Sequence, residues 1–114
     1  MSDSVGHRIK DDRLEGKSTL HYKGLKNDKT WTADQTLNLD KYFGDSDGYF
    51  VTPSHGYAEK AKDAEEIREY VDEKRPDEPK LRAHLLRNNG EYRYQGVVLD
   101  DYFDVDDDGK LQYL

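Results

Sequence analysis

Cysteine is absent from the 114 residues, and proline occurs three times, methionine once and tryptophan once. Without cysteine the chain has no disulfide, no thiol nucleophile and no cysteine-ligated zinc. Hydrophobic residues make up only 33% of the chain and form no run long enough to cross a membrane. No signal peptide is recognisable. The sequence therefore predicts a soluble, cytoplasmic protein without a membrane partner.

Charged residues and tyrosines are abundant in the chain. Charged residues make up 38% of the chain, the net charge is −7, and there are nine tyrosines. This length suits one small domain, in which aromatic side chains supply much of the core. No internal repeat is evident. An acidic chain needs a local basic patch to bind nucleic acid, and a basic protein is the other partner that its charge suits.

Most of the chain has the pattern of antiparallel strands. Residues 1–17 are polar and predict a flexible N-terminal arm, and residues 18–114 predict a single domain. Asn89-Gly90 is the preferred pair for a tight type I′ hairpin turn. Small apolar residues recur every three or four positions over 57–74 and predict one principal helix. The expected fold is α+β, with a mainly antiparallel curled sheet forming a partial barrel.

The segment "LRAHLLRNNGEYRYQGVVLDDYF", followed by an Asp-Gly turn and a last strand, resembles the closing half of SRA-type and related PUA-like domains. The resemblance covers residues 81–114 and, more faintly, residues 20–32. In these domains an apolar strand that ends in a basic residue leads to a "YRYDG"-like strand, and another hairpin follows. Here residues 92–96 are "YRYQG". The resemblance implies a PUA-like fold that recognises modified or flipped bases.

The hairpin also carries the chemistry that nucleic-acid binding needs. Arginine contacts phosphates, and aromatic rings stack on exposed bases. An exposed sheet face that carries arginine and tyrosine without any binding role is the alternative. The predicted nucleic-acid-binding residues are Arg82, Arg87, Arg93, Tyr92, Tyr94 and Trp31.

The acidic C-terminal region suggests a different class of function. A cluster of carboxylates with aromatic anchors could bind and block a basic protein, or mimic nucleic acid. The predicted protein-binding residues are Asp100, Asp101, Tyr102, Phe103, Asp106, Asp107 and Asp108.

The same region begins like a calcium loop. Asp104, Asp106 and Asp108 alternate and Gly109 follows, as in the first half of an EF-hand loop. The bidentate ligand expected at the twelfth position is missing, and the flanks have strand character. The pattern therefore favours a β-turn, and we expect no metal or cofactor.

An enzymatic function rests on one further resemblance. "LHYKG" and the later "GYFVTPSHGYAEKA" resemble parts of small ADP-ribosyltransferase cores, which implies Tyr49 as the aromatic residue at the cofactor and Glu91 as the catalytic acid. No complete catalytic motif is present. The sequence thus favours a non-enzymatic binding module over this alternative.

Overall fold

The computed structural model of the protein describes residues 4–70, 73 and 77–114, which form mainly β-strands. In chain order the elements are α1 (Val5–Arg8), β1 (Ile9–Glu15), β2 (Thr19–Gly24), β3 (Gln35–Asn38), a 3-10 helix (Leu39–Lys41), β4 (Gly44–Ser46), β5 (Tyr49–Val51), α2 (Tyr57–Lys60), β6 (Ala61–Glu69), β7 (Glu78–Leu86), β8 (Tyr92–Val98), a 3-10 helix (Leu99–Asp101), β9 (Phe103–Val105) and β10 (Leu111–Tyr113). They build two antiparallel three-stranded sheets, β1-β2-β3 and β6-β7-β8, and two hairpins, β4-β5 and β9-β10.

The two halves of the chain repeat the same order of elements. Each half has a four-residue helix, a three-stranded sheet, a 3-10 helix and a hairpin. The repeat is visible in the sequence as "LDKYFGDSDG" at 39–48 and "LDDYFDVDDDG" at 99–109. Leu39 and Leu99 are both fully buried. This repeat escapes a first inspection because few positions are identical and the second copy is one residue longer.

Each hairpin packs on the sheet of the other half of the chain. The amide of Leu111 in β10 donates a 2.9 Å hydrogen bond to the hydroxyl of Tyr22 in β2. The amide of Asn88, after β7, donates a 2.8 Å bond to Asp47 Oδ1 in the β4-β5 turn. The protein therefore consists of two similar units, and each unit contains segments from both halves of the sequence.

The core is small and aromatic, as the composition predicts. Alternate residues of β7 (Leu81, Ala83 and Leu85) are fully buried, because successive side chains of a strand point to opposite faces. Edge-to-face and stacked ring pairs fill the space between the sheets and hairpins. The paired rings are those of Tyr42, Phe43, Phe50, Tyr57, Tyr102, Phe103 and Tyr113.

The predicted helix over 57–74 is wrong. Only Tyr57–Lys60 is helical, and Ala61–Glu69 is a strand that pairs along its length with β7. Residues 71, 72 and 74 lie outside the described residues. Pairing with β7 overrides the helix propensity of the alanine, glutamate and lysine residues. The strand pattern is hidden because its inward-facing positions include the charged residues Glu66 and Arg68.

The predicted α+β, PUA-like fold with one principal helix is therefore wrong. The chain is mostly β, with two helices of four residues among the described residues. Residues 5–15, inside the segment expected to be a flexible arm, form α1 and β1, and Val5 and Ile9 are buried in the core. In the described part of the chain no helix has the length and apolar character to span a membrane.

Candidate functional site

Each unit has a junction where the loop of a sheet meets the turn of the hairpin that packs on it. The first junction is formed by residues 26–30, between β2 and β3, and by residues 106–109, between β9 and β10. The second junction is formed by residues 87–91, between β7 and β8, and by residues 45–48 in the β4-β5 hairpin. The repeat makes these two regions structural equivalents.

The backbone hydrogen bonds of the two junctions correspond. In each sheet loop the amide of the first residue donates to the carbonyl of the fifth, from Lys26 to Thr30 at 2.8 Å and from Arg87 to Glu91 at 2.7 Å. In each case the second loop residue donates its amide to an aspartate of the hairpin turn, from Asn27 to the Asp107 carbonyl at 2.9 Å and from Asn88 to Asp47 Oδ1 at 2.8 Å.

The first junction is closed by an arginine. The Arg8 guanidinium donates hydrogen bonds to the carbonyls of Val105 at 2.6 Å, Leu25 at 3.2 Å and Asp106 at 3.3 Å. These carbonyls come from both sides of the junction. The Arg8 guanidinium is therefore fully engaged within the protein.

The second junction holds two arginines whose side chains are much less engaged. Arg87 Nη1 lies 3.7 Å from Glu91 Oε2, a long ion pair. The Arg93 guanidinium carbon lies 4.1 Å from the centroid of the Tyr49 ring. Neither guanidinium donates a hydrogen bond to any residue that the structure describes. Most of their hydrogen-bonding capacity is therefore unused by the described residues.

Three polar atoms in this junction are also buried without a hydrogen-bond partner. They are Asp45 Oδ2, Arg87 Nε and Arg93 Nε, out of seven such side-chain atoms in the described ranges. Buried polar groups are paired in the great majority of cases, so a concentration of unpaired ones marks a region adapted to something other than stability. Gly48 permits the close packing, because a Cβ at this position would lie 2.7 Å from Arg87 Cγ.

The charges of the second junction nearly balance. Asp45, Asp47 and Glu91 surround the arginines Arg87 and Arg93. A phosphate group would meet carboxylates as well as guanidinium groups, which disfavours a polyanionic ligand. A neutral ligand that carries several hydroxyls suits this arrangement, because each hydroxyl both donates and accepts hydrogen bonds.

The structure divides the residues predicted to bind nucleic acid among three places. Arg82, Tyr92 and Tyr94 lie on the outer face of the β6-β7-β8 sheet. Arg93, which lies between the two tyrosines on β8, faces Tyr49 instead. Arg87 belongs to the second junction with Arg93. Trp31 is in the other unit, where Lys10 Nζ lies 4.5 Å from its ring. These six residues do not form one surface.

The predicted acidic protein-binding surface, residues 100–103 and 106–108, is also not a continuous face. Asp100 Oδ1 accepts a 2.6 Å hydrogen bond from the amide of Val5, and Phe103 is buried in the core. Of this set, Asp101, Asp107 and Asp108 are exposed, and they lie on different segments. The anchors and several carboxylates therefore serve the fold.

The proposed calcium ligands stabilise a turn. Asp106 Oδ1 accepts 2.9 Å hydrogen bonds from the amides of Asp108 and Lys110, and Asp104 Oδ1 accepts one from Val105 at 2.8 Å. Burial alone would raise the pKa of Asp106, but these amide bonds and the Gln112 side chain lower it below its usual range. Within the residues described, no group of three or more potential ligands is arranged to hold a metal ion.

Comparison with known proteins identifies the family. The family model for the CVNH domain matches residues 6–112. The chain belongs to the CVNH family. A relative from Neurospora crassa, described as a cyanovirin-N homolog, is 30% identical over 87 residues, which are 76% of this chain and 75% of that protein.

Solved CVNH structures have the same architecture. A designed cyanovirin-N homolog lectin superposes with a TM-score of 0.82 at 26% identity, over 98% of this chain and all of that one. A complex of microvirin with mannobiose gives a TM-score of 0.72 over 99% of this chain and all of that one. At 18% identity, this second likeness shows the fold alone.

CVNH membership overturns the expectations drawn from the two resemblances. The SRA/PUA-like assignment is wrong, and so is the recognition of nucleic acid. The alternatives of an acidic inhibitor of a basic protein and of an ADP-ribosyltransferase-like enzyme are wrong as well. A Tyr-x-Tyr-x-Gly strand after an Asn-Gly turn occurs in many antiparallel hairpins, so its presence at 92–96 was not specific. The more informative signal was the repeated "LDxYF" segment at 39–43 and 99–103.

Proposed function

We propose that the protein is a carbohydrate-binding lectin and that the second junction is its sugar-binding site. Membership of the CVNH family supports the class of ligand. One relative is described as a lectin, and microvirin has been solved with mannobiose. The observation that carries the location is the pair of arginines, Arg87 and Arg93, whose guanidinium groups donate no hydrogen bond to the described residues.

The chemistry of this site is hydrogen bonding to hydroxyl groups. The two guanidinium groups donate to sugar oxygens, and the exposed carboxylate of Glu91 accepts from sugar hydroxyls. The exposed amides of Asn88 and Asn89 add both donors and acceptors at the rim. The hydrogen bond from the Asn88 amide to the Asp47 carboxylate holds the two sides of the site together before a ligand binds, which reduces the entropic cost of binding.

Isothermal titration calorimetry with mannobiose and with short N-acetylglucosamine oligomers tests this proposal. Arg87→Gln should weaken binding roughly 10- to 100-fold, because a hydrogen bond from a charged donor contributes about 1.5–3 kcal/mol. Arg13→Gln is the matched control. It removes the same charge from an exposed arginine that pairs with Asp34 on the other sheet, and it should leave the affinity unchanged.

Two results would contradict the proposal. The wild-type protein could bind none of these sugars at millimolar concentration, which would remove the lectin function for these ligands. Alternatively, Arg87→Gln could bind with the affinity of Arg13→Gln, which would exclude the second junction as the site. Thermal melting of both variants establishes that each is folded.

A further inference from the structure

A cavity of about 280 Å³ opens on the outer face of the β6-β7-β8 sheet. Its lining residues are Asp63, Ala64, Glu65, His84 and Tyr94. Asp63, His84 and Tyr94 are direct cross-strand neighbours on β6, β7 and β8, so their side chains share one face of the sheet. Arg93, the neighbour of Tyr94 in sequence, points to the other face. The cavity is therefore distinct from the second junction.

The walls of the cavity are held in place by their own contacts. His84 Nδ1 lies 2.8 Å from Asp63 Oδ1, and the Tyr94 hydroxyl donates a 3.1 Å hydrogen bond to Glu65 Oε1. The Tyr94 ring lies 4.6 Å from the His84 ring and 5.3 Å from the Arg82 guanidinium carbon. These contacts fix the orientation of an exposed aromatic ring, so a ligand that stacks on it does not have to order it first.

The arginine beneath the tyrosine is itself anchored. Arg82 Nη2 donates a 2.5 Å hydrogen bond to Glu69 Oε2. The same oxygen accepts a 3.2 Å hydrogen bond from Lys80 Nζ. Gly96, opposite Arg82 on β8, leaves room for the guanidinium to lie across the strand, because a Cβ there would be 3.2 Å from Arg82 Cδ. Arg82 therefore supports the Tyr94 ring and is not free to bind an anion.

The polar groups that remain free in the cavity are hydrogen-bond acceptors. Asp63 Oδ2 and Glu65 Oε2 receive no hydrogen bond from residues described in the structure, and Tyr94 keeps 45% of its surface exposed. A suitable ligand has neighbouring hydroxyl donors on one side and an apolar C–H face to lie on the tyrosine ring. A hexose ring has both features, and a volume of 280 Å³ suits a single small ring.

We propose that this cavity is a second sugar-binding site, which takes one hexose unit by stacking on Tyr94 and by donating hydroxyls to Asp63 and Glu65. The inference rests on the proposed lectin function for its ligand class, but it names a different surface. Two sites on opposite faces of one sheet would let a single molecule bind two glycan branches and gain avidity.

A two-dimensional ¹H–¹⁵N NMR titration with mannobiose, and separately with an N-acetylglucosamine disaccharide, tests the proposal. Saturable shifts of the amides of 63–65, 84 and 94 are expected in addition to shifts at 45–48 and 87–91. Tyr94→Ala should weaken the response at the cavity at least fivefold and leave the response at the junction unchanged. Tyr94→Phe, which keeps the ring, should retain most of the cavity affinity.

Tyr92→Ala provides the matched control, because Tyr92 lies on the same strand and face, is similarly exposed and does not line the cavity. An equal loss in Tyr92→Ala and Tyr94→Ala would overturn the assignment. Shifts confined to the junction would overturn the cavity site and leave the lectin function standing. Shifts confined to the cavity would support the cavity site and refute the second junction as a sugar-binding site. The absence of shifts at either surface would refute both sites.

Discussion

Replacing Glu66 with glutamine should remove a loss of stability that the protein undergoes as the pH rises from 6 to 8. The Glu66 carboxyl lies on the inner side of β6, and its Oε2 atom is buried without a hydrogen-bond partner. Burial, a hydrogen bond with Asp12 and repulsion from Asp12 raise the pKa of Glu66 to about 9. Asp12 itself stays ionised because Arg68, whose Nη2 lies 2.6 Å from Asp12 Oδ1, offsets its burial and lowers its pKa.

The sign of the effect follows from which state holds the proton. Between its ordinary pKa of 4.5 and about 9, Glu66 is protonated in the folded protein and ionised in the unfolded chain. Folding then binds a proton, so the free energy of unfolding falls as the pH rises, by up to about 1.4 kcal/mol per pH unit. Solvent reaches part of this carboxyl and weakens the effect. We expect a loss of about 1–1.5 kcal/mol from pH 6 to 8.

Urea denaturation followed by far-UV circular dichroism at pH 6, 7 and 8 measures this slope. The free energy of unfolding of Glu66→Gln should exceed that of the wild type by an amount that grows with pH. Glu65→Gln is the matched control, because the neighbouring side chain is exposed on the outer face of the same strand, and its difference from the wild type should not change with pH. If the free energies of unfolding of the wild type and of Glu66→Gln differed by the same amount at pH 6, 7 and 8, the assignment of a protonated Glu66 would be refuted.

Two further predictions concern the packing of a hairpin and a half-buried histidine. Gly24→Ala should destabilise the protein by about 3 kcal/mol or more in urea denaturation, because the new Cβ would lie 1.7 Å from the Gly109 carbonyl oxygen. The control Gly96→Ala should cost less than about 1 kcal/mol, because its new Cβ meets only a flexible side chain. Similar costs for both variants would contradict the close approach of β2 and the β9-β10 turn. NMR titration should show a pKa above 6.5 for His21, because hydrogen bonds from its ring to Glu15 and to a second carboxylate raise the pKa. Glu15→Gln should lower the pKa of His21. An unchanged pKa in this variant would refute the contribution of Glu15.

The local turns were predictable because their geometry depends on a few adjacent residues. The hairpin around Asn89-Gly90 is present as β7 and β8, and Gly90 adopts a positive φ of 86°. The predicted type I′ turn is wrong, because Asn89 does not have the positive φ that this turn requires and the loop spans residues 87–91. The Asp-Gly turn before β10 is likewise a turn, with Gly109 at a φ of 80°. Such positions need no information from distant parts of the chain.

The helix prediction failed over Ala61–Glu69 because the structure of that segment depends on a distant partner. Its residues have good helix propensity, and its buried face includes Arg68, which pairs with Asp12 from β1, and Glu66, which shares a hydrogen bond with Asp12. A charged residue on the inner face of a strand breaks the alternation of apolar and polar residues by which strands are recognised. Only the tertiary pairing of β6 with β7 and its packing on β1 show that this segment is a strand.

The candidate site shows the same division between local and tertiary information. The sequence placed Arg87 and Arg93 on one hairpin, because both lie near one turn, but assigned them wrongly to nucleic-acid binding. It did not indicate that Asp45 and Tyr49, more than thirty residues earlier, meet them there. That meeting follows from the exchange of hairpins between the two halves, which brings acceptors and donors into one junction.

The sequence by itself determined that this is one small, acidic, cysteine-free chain with antiparallel hairpins and an aromatic core. Composition and adjacent residues suffice for those properties, because they follow from local backbone preferences and from the apolar surface available. The tertiary structure decided that the halves repeat and that each hairpin packs on the other half's sheet. It also decided that two arginines at one junction donate no hydrogen bond to the described residues, while Arg8 closes the other junction. These features depend on contacts between residues far apart in the chain, and a single sequence contains no direct measure of such distances.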